Sequence, residues 1–160
     1  MKIQNSIKTL ALAAIVVFGP SASAMTDNEV HKILDQVATE YRANLPETVD
    51  ANTTLYGARR DLTAKRRLVY LYRINTPRSA LSLPLDTLAA QQKEESLAYF
   101  CSQPALEPFR DIGVSFEYNY SDSDKQYLFS VYLDPSECPE GHSGDKTKRM
   151  TNKTTKRKKL

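Results

Sequence analysis

Two cysteines, two histidines and a few neighbouring carboxylates are the side chains of this 160-residue chain that could do chemistry. Cys101 and Cys138 lie 37 residues apart. Neither belongs to a C-x-x-C pair, so thiol-redox and zinc chemistry lack their usual frame. His31 falls at the edge of an apolar helical stripe, and His142 falls in a charged C-terminal stretch. A Ser-His-Asp or Cys-His site needs an imidazole within reach of its nucleophile, and neither histidine stands in such a motif. Asp122 and Asp124 have the opening spacing of a calcium loop but lack its glycine and distal glutamate, so they read as a turn. Glu94 and Glu95 are adjacent on a helix and point in different directions. Glu140 with His142 supplies two metal ligands in a loose tail, short of a site. With only 5 glycines in the chain, no glycine-rich phosphate loop exists. The chain therefore reads as non-enzymatic, with no catalytic, metal or cofactor residues.

The role left for the cysteines depends on compartment. Lys2 and Lys8 precede an apolar run from Leu10 to Phe18, which is shorter than the ~20 residues a membrane span needs. Gly19 and Pro20 break the run, and Ala22-Ser23-Ala24 is an A-x-A cleavage site. Residues 1–24 thus read as a signal peptide cut between Ala24 and Met25, delivering the chain to the periplasm. No cysteine follows the leader to carry a lipid, and no later run is apolar enough to span a bilayer. In an oxidising compartment two thiols of a small domain pair. A Cys101–Cys138 bond would stabilise the fold by about 4 kcal/mol through loop closure.

The net charge of +3 sums unlike parts. Residues 146–160 (KTKRMTNKTTKRKKL) are rich in Lys and Arg and hold no acid, whereas residues 25–145 hold 12 basic and 19 acidic side chains. The body is acidic and the tail basic. Residues 139–160 are expected to be a disordered tail, because so polar a stretch buries too little apolar surface to offset its ordering entropy. Such a tail could touch anionic lipid; nucleic acid is not an expected partner of an exported protein.

Positioning falls to residues 25–138, read as one α+β domain. Thr26 and Glu29 have capping-box spacing, and Val30, Ile33, Leu34, Val37, Ala38, Tyr41 and Leu45 form one helical stripe over residues 26–45. Residues 51–58 and 68–74 read as strands of a hairpin, the second with apolar groups on both faces and hence central. Ser82 is expected to cap a second helix from about Pro84 to Tyr99, with Cys101 just past its end. Residues 104–112 form a short third helix closed by Gly113 in a left-handed cap. From Val114 to Tyr120 and from Tyr127 to Leu133 alternation marks a closing hairpin. The predicted order is α-β-β-α-α-β-β, a four-stranded antiparallel sheet of two hairpins with the helices on one face. Seven of the 9 tyrosines fall in these strands, filling the sheet's faces or lining a groove for a partner.

A long first helix, LPETVDANTTLYG, the strand LVYLYRI, a helix ending AYFCSQPAL, then FRDIGVSFEYNY, QYLFSVYL and a last cysteine follow in that order. Over residues 29–138 this architecture resembles the small disulfide-containing α+β pilotins of type II secretion systems, its specific marks being Cys101, Gly113 and Cys138. The resemblance implies a non-enzymatic periplasmic protein that binds a short helical segment of a secretin in a groove. The chain departs from those lipoproteins in lacking a lipid-bearing cysteine and in carrying the basic tail. The expected function is a soluble adaptor or chaperone-like binding protein for a secretion or conjugation component. Two other classes stand beside it. One is a secreted effector or toxin-like protein whose tail docks on anionic membrane. The other is a small hydrolase using a carboxylate pair, which needs a deep pocket lined by two acids.

Overall fold

The structure, a computed structural model, describes residues 25–139. The expected leader with Ala24, and residues 140–160 of the basic tail with Glu140 and His142, lie outside the described residues. Helix α1 (Asp27–Ala43) starts at a complete capping box: the Thr26 hydroxyl accepts from the Glu29 N–H, and the Glu29 carboxylate accepts from the Thr26 N–H at 2.8 Å. Each bond satisfies an N–H that the first turn leaves without a partner. Val30, Leu34, Val37 and Ala38 form its buried stripe.

The sheet has five strands in the order β1-β2-β3-β4-β5: β1 (Glu47–Asp50), β2 (Thr53–Arg60), β3 (Arg67–Ile74), β4 (Ser115–Ser121) and β5 (Tyr127–Leu133). The predicted four-stranded antiparallel sheet is corrected on two counts, and only the α+β class stands. Strand β1 is additional, making the order α-β-β-β-α-α-β-β. At four residues it is too short to show a period, and it exists through pairing with β2. The two hairpins also join in parallel, β3 against β4, with Tyr70 opposite Tyr118 and Tyr72 opposite Tyr120. Between them run α2 (Leu85–Ser102) and α3 (Glu107–Asp111), a crossover long enough to return the chain to the starting end of β3.

The second helix differs in its ends too. Pro84 is its N-cap and no side chain caps it, so Ser82 does not play that part. Its last turn continues to Ser102, placing Cys101 inside the helix. Arg110, buried on α3, explains the extension. Its guanidinium donates to the Phe100 carbonyl and, at 3.0 Å, to the Gln103 carbonyl. A cation at a helix C-terminus satisfies its loose carbonyls and favours their dipole. Helix α3 closes on Gly113 at φ +71°, with Gly113 N–H donating to Arg110 and Val114 N–H to Phe109, the paired bonds of a left-handed terminus.

Both long helices lie on one face of the sheet: Tyr41 of α1 meets Tyr70, and Phe100 of α2 meets Phe116. Between helices and sheet sits the core, including Leu34, Leu55, Leu68, Phe100, Ile112 and Leu133, all essentially inaccessible. Each such side chain contributes roughly 1.5–3 kcal/mol through burial. A Cys101–Cys138 disulfide spans 5.4 Å between Cα atoms and ties the end of α2 to the segment after β5. No helix of the described residues is long and apolar enough to cross a membrane.

Candidate functional site

Helix α1 packs along β2, and α2 along β5. Between them lies a cleft with about 30 Å³ of room, space for a water molecule. Tyr41 and Tyr99 form its walls, Tyr70, Tyr72, Phe116 and Tyr118 its floor, and Leu106 one end. The floor is a continuous set of ring contacts. Tyr70 meets Tyr118 edge-on at 5.7 Å, Tyr72 meets Tyr118 at 5.6 Å, and Tyr72 stacks on Tyr120 at 5.2 Å. Tyr41 meets Tyr70 edge-on at 5.1 Å, fixing α1 to the floor. These spacings suit attractive aromatic pairs, and the parallel β3–β4 register creates them.

Burial pushes the hydroxyls of Tyr41, Tyr70, Tyr72, Tyr118 and Tyr120 upward from the ordinary phenol range; neighbouring phenols add to the rise at Tyr70, Tyr72, Tyr118 and Tyr120, whereas the hydrogen bond with Tyr70 opposes it at Tyr41. The cleft therefore presents neutral phenols able to give or take a hydrogen bond, set in apolar surroundings. That chemistry suits an apolar side chain with a polar group nearby. It contains no carboxylate, imidazole or thiol that could act as acid, base or nucleophile.

The residues weighed for catalysis are placed apart from it. His31 Nε2 lies 2.6 Å from the Lys65 carbonyl, holding α1 to the β2–β3 connection. Asp122 is fully buried and serves the backbone: its carboxylate accepts from the N–H groups of Arg78, Asp124 and Gln126 at 2.8–3.0 Å. Burial pushes that carboxyl up and the three donors more than offset it, leaving it below its ordinary value. Asp124 is exposed, and Glu94 and Glu95 sit on the exposed side of α2. Among the described residues no three His, Cys, Asp or Glu converge as metal ligands.

Sequence reasoning had placed Tyr41 in the first helix's stripe and Tyr70, Tyr72 and Tyr118 in strands. Their convergence with Tyr99 escaped it, because it depends on which strands are neighbours. The structural part of Arg110 also escaped it. The one available signal was Arg110 as the lone cation of the segment PALEPFRDIG.

Among the described residues no helix packs on the opposite face of the sheet. Arg67 pairs with Asp61 and Glu117, each at 3.4 Å, and its guanidinium lies over the Tyr132 ring at 5.2 Å. Arg73 lies over Tyr56 at 4.8 Å.

No family model matches the chain, and no curated protein matches it in sequence. Solved structures do match in fold. A presumed secreted protein from Pseudomonas aeruginosa superposes with a TM-score of 0.58 at 15% identity, over 71% of this chain and 96% of its own. The pilotin EpsS of the Vibrio vulnificus type 2 secretion system gives 0.56 at 14% identity, over 71% and 94%. AspS, the type II secretion pilotin of Vibrio cholerae, gives 0.54 at 13%, over 70% and 94%. The resemblance drawn from the residues is thus matched in three dimensions: in fold, this chain is similar to the pilotins of type II secretion systems.

Proposed function

We propose that this protein is an exported, non-enzymatic binding protein for a component of a secretion or conjugation machine, holding a short helical segment of that partner in the tyrosine-lined cleft. The observation that carries the reading is the coincidence of a pilotin-like fold with an apolar, phenol-rimmed cleft between two helices. Helices that bind in grooves do so through apolar anchors at i, i+3, i+4 spacing, and tyrosine is favoured where such anchors dock. The cleft is too small for an anchor as it stands, so occupation requires α1 and α2 to part, with the disulfide retaining the far end of α2. A cleaved leader delivering the domain to the periplasm, where the disulfide forms, completes the reading.

A photo-cross-linking amino acid at Tyr99, in the full chain expressed in its own host, tests it. The expected result is a cross-link to one secretion or conjugation component, lost when Tyr41 is changed to Lys. Cross-linking to no protein, or an adduct unaffected by Tyr41→Lys in a folded variant, overturns it.

A further inference from the structure

The bare face of the sheet carries relief. Rows of residues cross its four long strands in register. In the middle row Gly57, Leu71, Asn119 and Ser130 stand side by side. This row is low. Leu71 folds against Gly57, where a Cβ would lie 2.7 Å from its Cδ1. Asn119 and Ser130 are short, and Ser130 donates to Asn119. Along one side runs the row of Arg59, Val69, Glu117 and Tyr132. Along the other, Arg73 is joined through Ser121 to Tyr127, and Tyr56, at the irregularity of β2, lies under the Arg73 guanidinium. The middle row is thus a trough between two banks. Four strands at a spacing of ~4.8 Å give it a length of ~14 Å, about the span of four extended residues.

The banks carry tyrosine and arginine, the types that protein interfaces favour. Tyr56, Tyr127 and Tyr132 are three of the four exposed large hydrophobics among the described residues. Charge on this face is unevenly matched. The carboxylates of Asp61 and Glu117 both pair with Arg67. Arg59 and Arg73, one on each bank, form no ion pair among the described residues. The buried Nε–H of Arg73 also lacks an acceptor, so the chain leaves that guanidinium unsatisfied. Its stacking at 4.8 Å from the Tyr56 ring centroid already fixes its orientation, and a preordered side chain loses little freedom on binding. The natural complement of a guanidinium is a carboxylate, which it meets with two parallel bonds. Nucleic acid is the competing anion. Residues 25–145 hold 12 basic and 19 acidic side chains, a body that repels a dense polyanion at long range. A peptide bearing a few carboxylates meets less of that repulsion.

We propose that the bare face binds a short acidic segment of a partner protein along this trough, with its carboxylates met by Arg59 and Arg73 on opposite banks. The tyrosine cleft opens on the other face of the sheet, so occupation of one site leaves the other open, and the proposal stands independently of the cleft's role.

The test is an NMR titration of residues 25–160 with defined probes. One is a short peptide of glutamate, glycine and two phenylalanines. Its control has glutamine at each glutamate, and a third probe is an oligothymidylate. The expected result is that the acidic peptide shifts the amides of Gly57, Leu71, Asn119 and Ser130 and the side-chain N–H signals of Arg59 and Arg73, whereas the control does not. Arg59→Gln with Arg73→Gln should weaken that binding about tenfold or more, the value of one charged hydrogen bond. If Arg73→Gln loses the folded spectrum, Arg59→Gln alone is expected to weaken it in the same direction. Shifts confined to residues 146–160, equal shifts by peptide and control, or binding unchanged in a folded variant overturn the proposal. Oligothymidylate shifting the trough as strongly as the acidic peptide also overturns it.

Discussion

The helix-covered face of the sheet and the bare face share the same strands and differ in what they do with charge. On the covered face Leu68, Tyr70, Tyr72, Ile74, Phe116 and Tyr120 are buried together. On the bare face the same strands present Arg59, Arg67, Arg73, Glu117 and Asn119 between them, and Val69 is sealed beneath longer neighbours. The covered face is held by area and ring contacts, which no salt or moderate pH disturbs. The bare face is held by ion pairs, Arg67 with Asp61 and with Glu117. Most of the stability comes from one side, and sensitivity to salt and acid from the other.

The largest effect should come from the covered face. Phe116→Ala removes a ring in contact with Phe100, Phe109 and Tyr70 and should cost about 3–5 kcal/mol, measured by chemical denaturation. Arg67→Met keeps an apolar stem but leaves Asp61 and Glu117, both largely buried, without this cation. A loss of about 1–3 kcal/mol is expected. A loss as large as that of Phe116→Ala would break the comparison. Tyr132→Ala, half-exposed with only the Arg67 guanidinium on its ring, should cost less than about 1 kcal/mol.

The pH dependence sharpens the contrast. The Thr63 N–H holds the Asp61 carboxyl below its ordinary value against the opposing effect of burial, with the Thr63 hydroxyl, the Ala64 N–H and Arg67 assisting. A group depressed on folding stabilises above its unfolded pKa, about 4, and that stabilisation disappears as pH falls through the folded value. The tyrosines shift the other way. Burial raises them, so their contribution is present below about pH 10, the unfolded phenol value, and is lost as pH rises through the folded values. Asp61→Asn should flatten the acid limb of a stability profile, and Tyr70→Phe the alkaline limb. Either substitution acting on the opposite limb would refute the division.

Some of this was legible in the residues. The capping box at Thr26 and Glu29, the left-handed Gly113, and the alternation that sends Tyr70 and Tyr72 to one side of a central strand all involve neighbours in sequence. The site was legible as a set of aromatic positions and no further.

Chemistry-bearing residue types, helix periods and strand faces were determined by the sequence alone, because each depends on interactions within one or two turns or one strand. Strand β1, the parallel join of β3 to β4, and the meeting of Tyr41, Tyr99 and Tyr118 over one cleft were decided only by tertiary structure. Each is a choice among edges and surfaces that are equally apolar when viewed one element at a time. The choice follows from how the crossover through α2 and α3 packs, and from Arg110 and Asp122 satisfying backbone groups that the chain must bury there.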